Sequence, residues 1–238
     1  MYPPVRRTMV GLLSAPRMST YTRASGGDVE AAVDLYQWNL DVSMALFESI
    51  HYLEVAVRNR MDEALSRLAG PDADWLDAPP GIPLTPGTLA RVAVARRNAG
   101  HPGREPTHGH VIAEITFGFW PYLLARNYSR TLWANALKGA FRPASRGDLH
   151  ARLLAVADLR NRIGHHEPLI GLDTAAEYRR ILTLAELVDP RLGWWIDTTS
   201  RVDAVNRRRP AGGTPPQPAT CQGRAGSVAR GAAATSIA

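Results

Sequence analysis

A chain of 238 residues, 45% of them apolar, can bury one substantial hydrophobic core, which excludes a fibrous or wholly disordered protein. Its formal net charge of +6 lies mostly in residues 201–238, where six arginines and one aspartate contribute +5. The rest of the chain is therefore close to neutral. Because Lys138 is the only lysine, we attribute the excess of arginine first to coding bias and only second to phosphate binding.

The cysteine content and the hydropathy pattern indicate a cytoplasmic protein. Cys221 is the only cysteine, which excludes an intramolecular disulfide and a zinc site built from several thiolates. No apolar run approaches the roughly 20 residues that a membrane helix needs. Residues 9–15 follow two arginines as in a secretory signal, but Pro16 and Arg17 interrupt the apolar run. We therefore expect a cytoplasmic protein that does not contact a membrane.

Helical periodicity dominates the first part of the chain. Asp28 or Ser25 can cap a long amphipathic helix that ends at Gly70. Its apolar residues recur mainly at steps of seven, four and three: Leu35, Val42, Leu46, Ile50, Leu53, Val57, Met61, Leu65 and Leu68. Thr85 and Pro86 open a second helix, which stops at the breakers of residues 100–106. Residues 1–20 are expected to form a partly ordered segment in front of the domain.

The middle of the chain is ambiguous, because residues 110–124 alternate as a strand would and also carry a helical stripe. We favour a helix with a break or kink at Pro121, which lacks a backbone N–H donor, since no partner strand is evident elsewhere. Further helices are predicted over residues 132–137, from an Asp148 cap towards residue 159, and over residues 174–187. The sequence thus predicts an all-α bundle over residues 21–200. A disordered basic tail rich in Pro, Gly, Ala and Arg is predicted over residues 201–238.

Residues 159–168 gather the side chains best suited to chemistry, at the predicted end of a helix. Asn161 and His165 lie four residues apart on one helical face, with Arg160 beside them and the bare backbone of Gly164 between. Histidine exchanges protons near neutral pH and arginine matches phosphate oxygens, so the group suits metal-free attack of an RNA 2′-hydroxyl on its own phosphate. His165 would be the general base and Arg160 would stabilise the developing charge. Asn161 would orient the imidazole or the substrate.

A plainer interpretation of the same residues is a solvated helix end, since cations are favoured at a helix C-terminus. The spacing also recurs at Arg96 and His101, in a breaker-rich loop, where we regard it as chance. His165, His166 and Glu167 make a poor metal site, because consecutive helical residues diverge by about 100°. The chain also has no phosphate-cradling glycine loop, no nucleophile elbow and no zinc signature.

Several segments, taken together and in order, carry a family resemblance. They are Tyr21-Thr22-Arg23 with Gly26-Gly27-Asp28, Leu35-Tyr36-Gln37-Trp38-Asn39, Leu53-Glu54-Val55-Ala56-Val57-Arg58-Asn59, Phe117-Gly118-Phe119-Trp120, and residues 159–168. In this arrangement the chain resembles the Abi-like (abortive infection) proteins of the HEPN superfamily. The resemblance covers about residues 12–200, and the order of its segments is far more specific than the Arg-to-His spacing alone.

The resemblance implies an all-helical HEPN bundle that pairs about a two-fold axis and brings two Arg-Asn-x-x-x-His motifs into one cleft. It implies a metal-independent endoribonuclease without cofactors, which acts on RNA as a homodimer in phage defence or a toxin–antitoxin system. Carried onto this chain, Arg160 and His165 would be catalytic, and the supporting residues would be Asn161, His166, Glu167, Arg58 and Asn59.

Two alternatives stay open beside the ribonuclease. The first is a non-catalytic RNA-binding or dimerisation module of the same fold. The second is an interaction subunit for a nucleotidyltransferase partner. If the chain is the ribonuclease of a toxin–antitoxin system, its expected partner is an antitoxin. One residue departs from the family pattern, because Gly164 stands where the resemblance implies alanine. Glycine costs up to about 1 kcal/mol in a helix and would loosen the turn that holds His165.

Overall fold

The computed structural model describes residues 3–100, 103 and 105–210, and in this part of the chain it contains helices and no β-strand. The α-helices are α1 (Pro3–Leu13), α2 (Ala15–Ala24), α3 (Val29–Ala69), α4 (Pro86–Ala99), α5 (His108–Glu114), α6 (Phe119–Tyr122), α7 (Arg146–Gly164), α8 (Thr174–Val188), α9 (Pro190–Thr199) and α10 (Val202–Asn206). Short turns of 3-10 or π helix lie at Trp75–Asp77, Arg126–Tyr128, Ser129–Trp133 and Leu137–Ala140. The predicted all-α class is confirmed.

Helix α3 is the long central helix of the bundle. Its N-cap is Asp28, whose carboxylate accepts hydrogen bonds from the N–H groups of Glu30 (2.9 Å) and Ala31 (3.2 Å). The helix ends at Gly70, where a φ of 86° suits a residue without a Cβ atom. Every apolar residue of the predicted stripe is buried except the half-buried Leu68. Because α3 contacts α1, α2, α7, α8, α9 and α10, this stripe forms the centre of the core.

Residues 3–20 are more regular than the partly ordered segment predicted for residues 1–20. Helices α1 and α2 pack against each other and against α3. Arg6 on α1 pairs with Glu30 (3.2 Å) and Asp34 (2.7 Å) of α3. Met18 and Tyr21 of α2 are both buried in the core. The helical domain therefore includes α1 and α2.

Helical structure extends beyond residue 201, the predicted start of the tail, because α10 follows α9 directly. Val202 and Val205 of α10 are buried. Trp38 on α3 donates a hydrogen bond from its indole Nε1 to the Val205 carbonyl oxygen at 3.1 Å. Packed structure thus continues past the predicted boundary into residues 201–210. Residues 211–238 of the predicted tail lie outside the described residues.

The break predicted at Pro121 occurs earlier in the chain. Helix α5 ends at Glu114, and Ile115 has an extended backbone with φ −70° and ψ 119°. Pro121 lies within the first turn of α6, where its missing N–H leaves no helical hydrogen bond unmade. The region is therefore helical and interrupted, with the interruption at residues 115–118. Among the described residues, no helix is both long and apolar enough to cross a membrane.

His108, in the first turn of α5, is held between two carboxylates from other parts of the chain. Its Nε2 lies 2.8 Å from Asp62 Oδ1 on α3, and its Nδ1 lies 3.0 Å from Asp74 Oδ1. Trp75 also donates to Asp62, from Nε1 at 2.7 Å. Partial burial by itself lowers the pKa of His108, but the hydrogen bonds and negative charges of Asp74 and Asp62 raise the pKa above its ordinary value. His108 therefore ties α5 to the end of α3.

This contact makes the stability of the fold depend on pH in a defined direction. A histidine whose pKa is raised by folding contributes its full stabilisation below its unfolded pKa of about 6.5. This stabilisation is lost as the pH rises through the pKa of the folded state. His108→Gln should lower the free energy of unfolding by about 1–2 kcal/mol near pH 5.5, since partial exposure weakens such charged hydrogen bonds. The loss should be smaller near pH 9. Urea unfolding of the parent protein and of His108→Gln at the two pH values measures this difference in the free energy of unfolding.

His110→Gln is the matched control for that comparison. His110 is exposed two residues further along α5, and its ring accepts a hydrogen bond from the Thr107 N–H in a capping box, a role that glutamine also fills. A His108→Gln loss of equal size at both pH values would mean that the charged state of His108 contributes nothing.

Candidate functional site

Helix α7 carries the predicted motif in its last turns. It begins after Ser145 and not at Asp148, because the Ser145 hydroxyl accepts the Asp148 N–H at 3.0 Å. Asp148 then lies in the first turn, where its charge favours the helix dipole. Apolar residues at steps of three and four bury one face of α7 against α3, α6 and α8: Leu149, Leu153, Val156, Leu159 and Ile163. The motif is therefore attached to a helix that is packed on three others.

The end of α7 is a Schellman motif that lacks glycine at its turning residue. Gly164 is the last helical residue and His165 is the cap. The two hydrogen bonds of the motif run from the N–H groups of His166 and Glu167 to the carbonyls of Ile163 and Arg162, both at 2.9 Å. His166 takes a φ of 56°, in the left-handed region that costs a residue with a Cβ atom about 1–2 kcal/mol. Both histidines thus lie beyond the helix.

Arg160 reaches from α7 to α3. Its Nε lies 3.7 Å from Glu54 Oε2, an ion pair too long for a hydrogen bond, and this Nε is buried with no hydrogen-bond acceptor in the described part of the chain. Its Nη1 extends over Gly164, where a Cβ atom would lie 3.9 Å away. About a third of the side chain (35%) stays exposed. Glu54 therefore positions the guanidinium, which keeps N–H groups available to an anion.

His165 and Asn161 are both exposed, and Asn161 directly follows Arg160 in α7. They are joined through the backbone, since the His165 N–H donates to the Asn161 carbonyl at 2.9 Å. Neither side chain makes a hydrogen bond within the described residues, so the predicted contact in which Asn161 orients the imidazole is not present. His165 is accessible to a substrate, and the substrate would have to orient its ring.

His166 and Glu167 shape the helix end. The His166 carbonyl accepts a hydrogen bond from Arg17 Nη1 at 2.9 Å, which ties the turn to α2. Glu167 Oε2 lies 3.4 Å from Arg162 Nε, and Arg162 Nη2 donates to the Pro168 carbonyl at 3.3 Å. These contacts hold the turn through backbone atoms and an exposed ion pair. We therefore assign His166 and Glu167 a positioning role.

Arg58 and Asn59 both lie on α3, but they differ in burial. Arg58 is half buried one turn after Glu54, so these two side chains share a face of the helix, and Arg58 Nε is buried without a hydrogen-bond partner in the described residues. Asn59 is exposed, and no hydrogen bond from its side chain to the motif is present. The structure thus brings the Glu54 and Arg58 face of α3 to the motif helix and leaves Asn59 outside it.

Sequence reasoning missed three residues that position the motif: Arg17, Asn39 and Glu54. Asn39 is 7% exposed, and its Oδ1 accepts the Leu169 N–H at 2.7 Å, which holds the chain that follows Pro168. The one available signal was a polar residue on the apolar stripe of α3, where buried amides are uncommon unless hydrogen bonded. Arg17 and Glu54 have partners far away in sequence and give no local signal.

An apolar groove of about 250 Å³ lies beside the end of α7. It is lined by residues of α2, α3 and the motif, including Ser43, Gly164 and His166. Leu40, Met44 and Phe47 of α3 line the groove at steps of four and three, and His51 continues the spacing one turn beyond it, which is the spacing of a seam between two helices. We call these four residues the α3 stripe, which is distinct from the buried apolar stripe of the same helix. Leu40 and Met44 are 44% and 45% exposed and Phe47 is half buried, so the stripe is partly uncovered.

In the part of the chain that the structure describes, no group of three or more His, Cys, Asp or Glu side chains could hold a metal ion. In the second Arg-to-His spacing, Arg96 pairs with Asp77 at 2.5 Å, and His101 lies outside the described residues.

Comparisons with known proteins find no relative of this chain. The chain matches no protein-family model, and no curated protein or solved structure is significantly similar to it.

Gly164→Ala should stabilise the protein and tighten the turn before His165. The added methyl group would make an ordinary van der Waals contact, 3.9 Å from Arg160 Nη1. Alanine is favoured over glycine in helices by up to about 1 kcal/mol, so we expect a gain of about 0.5 kcal/mol at this last helical position. Thermal unfolding measures the gain. Gly147→Ala in the first turn of α7, where a Cβ atom meets nothing within 4 Å, is the control that should leave any RNA cleavage unchanged.

Proposed function

We propose that this protein is a metal-independent endoribonuclease of the Abi-like HEPN type, which cuts RNA by attack of a ribose 2′-hydroxyl. The observation that carries the proposal is Arg160, whose guanidinium lies 3.7 Å from Glu54, whose side chain stays 35% exposed, and whose Nη1 extends over Gly164, the residue before the exposed His165. A phosphate group supplies the negative oxygens that an arginine fork matches.

In the proposed reaction, His165 takes the proton of the 2′-hydroxyl and the 2′-oxygen forms a bond to the adjacent phosphorus. The bond from phosphorus to the 5′-oxygen breaks, and that oxygen takes a proton from the protonated His165 of a second copy of the chain. The products are a 2′,3′-cyclic phosphate and a 5′-hydroxyl. Arg160 stabilises the charge that develops on the non-bridging phosphate oxygens. The nucleophile belongs to the substrate, so side chains alone can fill both catalytic roles.

A second copy of the chain is part of the proposal. The attacking and leaving oxygens lie on opposite sides of the phosphorus in an in-line displacement, so one imidazole does not serve both as base and as acid. The α3 stripe offers exposed apolar side chains next to Gly164 and His166, at the spacing of a helix-to-helix seam. Pairing of two stripes about a two-fold axis would bring two motifs to one cleft.

Cleavage of a labelled RNA in excess chelator tests the proposal. We expect the parent protein to leave 2′,3′-cyclic phosphate and 5′-hydroxyl ends, identified by mass spectrometry. Arg160→Ala should slow cutting by about 10²–10³-fold, as for the loss of other groups that stabilise transition-state charge. Arg97→Ala, which removes an exposed arginine of α4, should leave the rate unchanged. Equal rates for the two variants, or no cutting by the parent, would contradict the assignment.

A non-catalytic RNA-binding module of the same fold is the second candidate, and the absence of a hydrogen bond that orients the His165 imidazole favours it. Arg160→Ala would then weaken RNA binding, and neither the parent protein nor any variant would produce cyclic-phosphate ends. For the ribonuclease we propose a role in phage defence or a toxin–antitoxin system of the cytoplasm, with an antitoxin or a nucleotidyltransferase as the expected kind of protein partner.

A further inference from the structure

A second, larger cleft of about 570 Å³ lies on the other side of the end of α7. Its walls come from four separate parts of the chain: the second half of α2, the last turns of α7, residues 168–171, and Arg209 after α10. Three of the residues that line it are arginines, and none is acidic: Arg23, Arg162 and Arg209. A cleft with three guanidinium groups and no carboxylate in its lining is a site for an anion.

Arg209 is built into the wall of this cleft. Its guanidinium lies over the indole ring of Trp38, 4.6 Å from the ring centroid, and its Nη2 donates to the Ile170 carbonyl at 2.7 Å. The side chain is half buried and has no carboxylate partner among the described residues. Stacking fixes the plane of the guanidinium, while the one hydrogen bond leaves most of its N–H donors unused.

The other two arginines differ in how firmly the protein holds them. Arg23 is exposed on α2, and its side chain makes no ion pair or hydrogen bond within the described residues. Arg162 donates to the Pro168 carbonyl at 3.3 Å and pairs with Glu167 at 3.4 Å, but the side chains of this ion pair are 42% and 50% exposed. An ion pair this exposed is worth little and yields readily to a second anion. Together the three cations are poorly neutralised by the protein itself.

We propose that this arginine cleft holds the phosphate backbone of single-stranded RNA outside the point of cleavage. The inference rests on the proposed function, because Arg162 lies two residues after Arg160 on the same helix. Positions two apart point about 200° away from each other, so one strand would pass around the end of α7 from Arg160 to the cleft. Exposed His165 and His166 lie along that path. The three arginines would then set where the strand lies relative to His165.

Binding of a 2′-O-methyl RNA of about 12 nucleotides tests the cleft without cleavage, because this RNA has no free 2′-hydroxyl nucleophile. Fluorescence anisotropy at several salt concentrations gives the dissociation constant and its salt dependence for the full chain. Each lost phosphate contact should reduce the slope of log K against log salt by about 0.7 for a single strand. We expect that reduction for Arg23→Gln, with a several-fold weaker affinity, and weaker binding still for Arg23→Glu. Arg97→Gln, an exposed arginine on α4, should change neither value.

The outcomes separate this inference from the proposed function. Unchanged affinity and slope for Arg23→Gln and Arg23→Glu would overturn the cleft, even if the parent cuts RNA as proposed. The expected losses would support the cleft, even if the parent never cuts RNA. Inorganic pyrophosphate is the second probe, because it carries phosphate without a strand. Tight pyrophosphate binding that depends on Arg23, with RNA binding independent of Arg23, would assign the cleft to a small phosphate compound and overturn the RNA site.

Discussion

Replacing His165 with alanine should slow RNA cleavage by about 10²–10⁴-fold, the usual contribution of a general base or acid. The side chain is exposed and makes no hydrogen bond within the described residues, so its removal leaves no cavity and no unpaired group. The melting temperature should therefore stay within the range of a surface substitution. Single-turnover cleavage in excess chelator gives the rate, and circular dichroism gives the melting curve.

His110→Gln is the matched control for this prediction, since it removes another exposed histidine, on α5, and keeps its capping role. The control should cut RNA at the parent rate. If His165→Ala also cuts at the parent rate, His165 is not the base. If His165→Ala unfolds at a much lower temperature, the residue is structural and the loss of cleavage carries no mechanistic meaning.

Met44→Glu should convert the proposed dimer, of twice 26.0 kDa, into a monomer of 26.0 kDa and remove the proposed cleavage at the same time. Met44 is in the middle of the α3 stripe and is 45% exposed in the monomer. An unpaired carboxylate buried at an apolar seam costs several kcal/mol, which weakens association by about 10²-fold or more. Light scattering after size-exclusion chromatography measures the mass, and the chelator assay measures cleavage.

Val94→Glu supplies a close control, because Val94 is also 45% exposed but lies on α4, away from the stripe. It should leave mass and activity unchanged. A parent protein that is monomeric and still cuts RNA would rule out the second copy as part of the site. A Met44→Glu protein that stays dimeric would place the interface on another surface.

Much of the fold was predictable because the signals for it are local. The start of α3 at Asp28 and its end at Gly70 follow from capping chemistry within a few residues, and its buried stripe follows from the helical period. Pro168 disfavours helical geometry at Glu167 and so predicts a helix end around residues 165–167, close to the observed last helical residue, Gly164. The interruption at residues 115–118 was misplaced to Pro121. Proline is tolerated in a first turn, and no local signal marks the extended Ile115.

By itself, then, the sequence determined the all-helical class and the presence of arginine and histidine at one helix end, through periodicity, caps and breakers that act over a few residues. Only the tertiary structure decided which side chains meet there. The contacts of Glu54 with Arg160 and of Asn39 with Leu169 join residues more than one hundred positions apart, and the arginine cleft joins α2, α7 and the segment after α10. Such neighbours are set by how helices pack, and packing depends on the whole core at once.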